Sequence, residues 1–118
     1  MDTTELAQAC AGRSDKGKLE EARKFWSDDI GSIEGFSGPD EVCRGREAVI
    51  EKQKMWSEGT EMHGVTCEGP FINGDQFSLR CTLDATDREG KRSTMHEMAL
   101  YTVKDGAVVE ERFFPLIG

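Results

Sequence analysis

The chain has 118 residues, 36% of them hydrophobic and 32% charged, which suits one domain around one modest core and leaves no room for a second. Asp and Glu outnumber Lys and Arg by 23 to 15. The resulting net charge of −8 repels phosphate backbones and anionic headgroups, so neither nucleic acid nor a membrane is expected as the main partner.

No segment approaches the roughly 20 apolar residues of a membrane span, and MDTTELAQAC lacks a leader pattern, so a cytoplasmic location is expected. Asp2 and Glu5 form a capping pair for a first helix with Leu6, Ala7 and Cys10 on its apolar side. Past Gly12 and Ser14, a second helix beginning near Asp15 places Leu19, Ala22 and Trp26 on one side, with Phe25 beside them. SDDI turns the chain into a short strand over Ile30–Glu34, and GFSGPD reads as an irregular loop. GREAVIEKQKMWSEG predicts a third helix bounded by Gly45 and Gly59, with Val49, Ile50, Gln53 and Trp56 at three- and four-residue spacing. Four longer β-rich segments after Thr60 predict an antiparallel meander.

Glycine closes both Ile72-Asn73-Gly74 and Lys104-Asp105-Gly106, which fits three-residue loops ending in a left-handed bulge position. That register sets Cys67 opposite Leu79 and Val65 opposite Cys81, keeping apolar rows on one face. At the last hairpin it sets Tyr101 opposite Val109, Ala99 opposite Glu111 and Glu97 opposite Phe113. The reverse face then carries Met98, Leu100, Val108 and Phe114. Both faces are apolar, and a second copy of the chain is the economical cover for the one the helices leave open. A homodimer through Met98, Leu100 and Phe114 is therefore expected.

The four cysteines lack CxxC spacing and read as reduced packing thiols; with clustered ligands missing, no metal is expected. Phosphate-binding glycine loops, GxSxG and HExxH are absent, so no cofactor is implied.

The element order, together with FWSDDI, GREAVI and ALYTVKDGAVVEERFF, resembles the SnoaL-like branch of the nuclear transport factor 2-like superfamily, the polyketide-cyclase and ketosteroid-isomerase relatives. The resemblance spans roughly Glu5 to Pro115. It implies an α+β fold, a cone-like curved antiparallel sheet of four long strands plus one or two short ones packed on three helices. It also implies a largely apolar pocket, commonly within a homodimer. The isomerase base is a carboxylate a few residues beyond the Asp28-Asp29 turn, which corresponds here to Glu34. A carboxylate in an apolar pocket loses hydration, and its pKa rises toward the range useful for proton transfer. The oxyanion-binding tyrosine and aspartic acid of those isomerases fall near Cys10 and Ala99, so that form of enolate stabilisation is missing.

Tyr101 and Glu111 fall on the face the resemblance turns inward, with Glu97 nearer its edge and Phe113 opposite it. Glu34 or Glu111 is the candidate proton-transfer group, and Tyr101 a hydrogen-bond donor. His63, sharing strand parity with Val65 and Cys67, is a candidate partner of Glu34. Trp26 and Trp56 are core residues that also serve as pocket wall. Three functions remain open: a cofactor-independent isomerase, lyase or cyclase acting on a small apolar or polycyclic ligand, a non-catalytic carrier or sensor, and a dimeric interaction module.

Overall fold

The computed structural model describes residues 2–15, 19–34 and 42–115. Helix α1 (Thr3–Asp15) is followed by the one-turn α2 (Leu19–Ala22) and a 3-10 turn, Arg23–Phe25. Strands β1 (Trp26–Glu34) and β2 (Val42–Arg44) precede α3 (Arg46–Glu58). Four strands complete the chain: β3 (Glu61–Asn73), β4 (Gln76–Thr86), β5 (Arg92–Lys104) and β6 (Ala107–Pro115). They form one sheet in the order β2-β1-β6-β5-β4-β3.

Asp2 caps α1 as its side chain promises: Oδ1 accepts from the Glu5 N–H at 2.8 Å. Leu6, Ala7 and Cys10 are buried beneath the helix, which packs on β3 and β4. At the start of α3, Gly45 adopts φ +96 while its N–H bonds to the Ile30 carbonyl at 2.8 Å, a conformation that costs glycine least.

The second helix is shorter than its spacing predicts, and Trp26 belongs to β1 instead of a helical face. Pairing with Val108 of β6 takes Trp26 into the sheet, so tertiary contact overrides local pattern. Side chains of α3 fix this helix-to-strand junction. Arg46 Nη1 donates to the Arg23 carbonyl at 2.8 Å, and Arg23 forks onto Gln53 Oε1 at 2.9 and 2.7 Å.

The sheet is mixed, because β1 runs parallel to β6 while every other neighbouring pair is antiparallel. Both hairpin loops hold two residues, Gly74-Asp75 and Asp105-Gly106, instead of three. Asp105 (φ 53) and Gly106 (φ 77) both sit in the left-handed region, as a tight hairpin with matching strand twist requires. Each hairpin also carries a bulge: one lies between Glu68 and Phe71, the other between Val108 and Glu110 opposite Thr102-Val103.

Loop and bulge together move each register by two places. Cys67 therefore faces Cys81 rather than Leu79, and Val65 faces Leu83. Tyr101 faces Glu111, Ala99 faces Phe113, and Glu97 faces Pro115. A shift of two preserves side-chain parity, so the inward row is unchanged. Val108 is the exception: the bulge turns it inward, where it is buried with Val103. The new register also corrects the expectation of reduced thiols, since Cys67 and Cys81 are joined by a disulfide while Cys10 and Cys43 are free.

The core lies between the inner sheet face and the helices, built around Leu6, Trp26, Ile30, Val49, Phe77 and Leu79. On the opposite face Met98, Phe114 and Phe71 remain 40%, 48% and 58% exposed, a patch that neither long helix covers.

Candidate functional site

Alternation along three neighbouring strands assembles the site. Strand β1 turns Ile30, Ser32 and Glu34 to one side, and its parallel register sets Ser32 beside Glu111 and Glu34 beside Phe113 of β6. Strand β5 adds Tyr101 beside Glu111, then Ala99 and Glu97 further along. Helix α3 crosses β1 and lowers Lys52 onto this row.

Lys52 Nζ lies 2.6 Å from Glu34 Oε1, donates to Ser32 Oγ at 3.0 Å, and sits 6.0 Å from the Phe113 ring centre. Ser32 is 1% exposed and Glu111 2%. Ser32 accepts from Lys52, and the parallel register sets its hydroxyl beside the Glu111 carboxylate, whose ionised form it favours. Phe77 supports the site from β4, stacking on Tyr101 with ring centres 4.9 Å apart.

Burial raises Glu111 from an ordinary 4.5 to about 7, and the nearby Glu34 and Glu97 push the same way. The Ser32 hydrogen bond and the Lys52 charge pull it back. Burial, then repulsion from Glu34, likewise raises Glu97 to about 7. The Tyr101 hydroxyl is pushed well above its ordinary value by burial and by Glu111, Cys10 and Glu97, so it stays a neutral donor. The buried Cys10 thiol rises to about 11, which makes it a poor nucleophile at neutral pH. Two carboxyl groups poised near neutrality beside a lysine and a protonated phenol have the makings of acid/base chemistry.

The structure thus gathers Glu34, Glu97, Glu111, Tyr101 and Phe113 on one face. Trp26 lies in the adjoining core. His63 is elsewhere: it is exposed on β3, at the opposite sheet edge from β1 and β2, and bonds to Thr86 Oγ1 at 2.8 Å. Trp56 is 43% exposed near the end of α3, lining an open cleft with Met55, Gly59, Asp87 and Arg88. Its helical spacing carries it past the core, because α3 contacts the sheet chiefly at β1 and β2.

Sequence reasoning missed Lys52 and Ser32. Lys52 lies three residues after buried Val49, and a lysine on an apolar stripe is the signal that marks it. Ser32 alternates with Ile30 and Glu34, so it shares the face already assigned to Glu34.

Comparison with known proteins agrees with this architecture. A nuclear transport factor 2-like protein of unknown function from Cytophaga hutchinsonii superposes with TM-score 0.76 at 17% identity, covering 97% of this chain and 99% of its own. A protein named as a candidate isomerase from Bacillus subtilis does so with TM-score 0.76 at 12% identity, covering 97% and 86%. Both likenesses concern the fold. A candidate SnoaL-like polyketide cyclase from Mesorhizobium loti is nearer, with TM-score 0.91 and 42% identity over 97% of this chain and 99% of its own. The SnoaL-like domain profile matches residues 1–115, and the chain belongs to that family. No curated protein matches the sequence.

Proposed function

We propose that the protein binds a small, largely apolar carbonyl compound on the inner sheet face and moves a proton on it without a cofactor, as an isomerase, lyase or cyclase. The observation that carries this reading is the pair of inward carboxyl groups, Glu97 and Glu111, held near pH 7 beside the Lys52–Glu34 ion pair. Glu34 and Glu111 are the proton-transfer groups in this reading, and Tyr101 donates a hydrogen bond to the substrate oxygen. The Mesorhizobium loti protein is named as a candidate polyketide cyclase, a name that also carries carbohydrate phosphatase, and the cyclase chemistry accords with this reading.

Solvent deuterium exchange into an enolisable ketone such as β-tetralone tests it. The wild-type chain is expected to accelerate exchange above the buffer rate. Glu34→Gln and Glu111→Gln are expected to lose most of that acceleration, about a hundredfold or more, while still binding the probe. Binding without acceleration in the wild-type chain identifies a carrier instead.

The open sheet face supports a homodimer in which the patch around Met98, Leu100 and Phe114 is covered by its own copy. Leu100→Arg buries a charge at such a contact. Sedimentation should then show a dimer for the wild-type chain and a monomer for the variant. A dimer that persists in the variant removes this face from consideration.

A further inference from the structure

Lys52 touches two groups of different standing: Glu34, which keeps some access to solvent, and Ser32, which is sealed in the interior. Its ammonium directs one N–H to each. The Ser32 hydroxyl has a single proton, and accepting from Lys52 leaves that proton for Glu111. Lysine, serine and the buried carboxylate therefore stand in sequence, with Glu34 attached at the near end. The parallel β1–β6 register sets the distance between Ser32 and Glu111, and α3 sets the height of Lys52.

We propose that Lys52 is a positioning residue that acts through the Ser32 hydroxyl to decide how Glu34 and Glu111 share a proton, making the two carboxyl groups one acid/base unit. Lys52 Nζ yields a proton to Ser32 Oγ as Ser32 yields its own to Glu111, and the neutral amine so formed then takes the proton from Glu34. Lysine and serine end as they began, and one proton has crossed between the carboxyl groups. Such a unit suits a substrate that gives up a proton at one atom and takes it back at another. That substrate class rests on the acid/base reading above, but the coupling itself does not.

The groups facing Glu111 are Glu34 on β1, Glu97 and Tyr101 on β5, and Lys52 on α3, with Cys10 of α1 facing Tyr101. Removing the one cation from this set has a defined sign. NMR titration of the carboxyl carbons in glutamate-labelled protein reads it without any substrate. In Lys52→Met the Glu111 midpoint is expected to rise above the wild-type value by about one pH unit or more. Ser32→Ala should raise it in the same direction, and Lys52→Arg, which keeps the charge, should restore much of the wild-type midpoint. A residue that merely holds the fold would change the melting temperature and leave the midpoint alone. If Lys52→Met is too unstable to titrate, Ser32→Ala decides. An unmoved Glu111 midpoint in a folded variant overturns the proposal, even where deuterium exchange succeeds. A Lys52→Met shift that shrinks once Ser32 is alanine upholds it even where exchange fails, and a shift that persists in full there, the mark of direct charge alone, overturns it.

Discussion

Replacing Glu111 by glutamine is expected to make the protein more stable at pH 8 by about 3 kcal/mol and to change its stability little near pH 4. The folded state holds the Glu111 proton up to about pH 7, whereas the unfolded chain releases it near 4.5. Between those values the folded state binds more protons, so stability falls as pH rises and stays lower above 7. The interval from 4.5 to about 7, at ~1.4 kcal/mol for each pH unit, gives the magnitude. Glutamine is neutral throughout and still accepts from Ser32, so the loss disappears. Urea unfolding at pH 4 and pH 8 measures the difference. A variant less stable than wild type at pH 8 would mean that Ser32 and Lys52 accommodate the ionised carboxylate fully. A gain would show that the chain keeps a destabilising acid where a neutral residue would fold better, as expected of a group retained for its chemistry.

Phe77→Ala should cost about 3–5 kcal/mol, the largest single loss expected here. The ring is 1% exposed in the core and stacks on Tyr101 with an interplanar angle of 19°. Its removal forfeits the burial, leaves a cavity and frees Tyr101 to tilt, with the ring pair itself contributing about 0.5–1.5 kcal/mol. Phe77→Leu keeps much of the volume and should lose far less. Comparing the two by denaturant midpoint separates volume from stacking. A cost near 1 kcal/mol for alanine would mean that the site collapses readily around the gap.

These residues also mark what the sequence conveys and what it withholds. Glycine at 45 and 59 brackets α3 because both ends need its backbone freedom or its lack of side chain, and those signals are local. The inward row of Glu97, Tyr101 and Glu111 is legible because a strand alternates with a period of two. The hairpin registers are not, since the bulges at Gly69-Pro70 and Val109 arise from how whole strands fit against their neighbours. Two offsetting irregularities shift the pairing yet keep the faces, which is why Cys67 meets Cys81 while Glu111 still points inward. Trp26 reads as helical until β6 is there to pair with it. His63 shares parity with the inward row but lies at the far edge of the sheet, and parity carries no information about strand order.

The parallel seam between β1 and β6 also fixes when the site comes into being. Ser32 and Glu34 leave the ribosome well before Glu111 and Phe113. The hairpins from β3 through β6 can close on neighbouring sequence, but β1 can add to the sheet only once β6 is there. The carboxyl cluster can therefore assemble only after β6 has been made. Until that seam closes Glu97 and Glu111 stay solvated, and the burial that raises their proton affinity begins only with its closing.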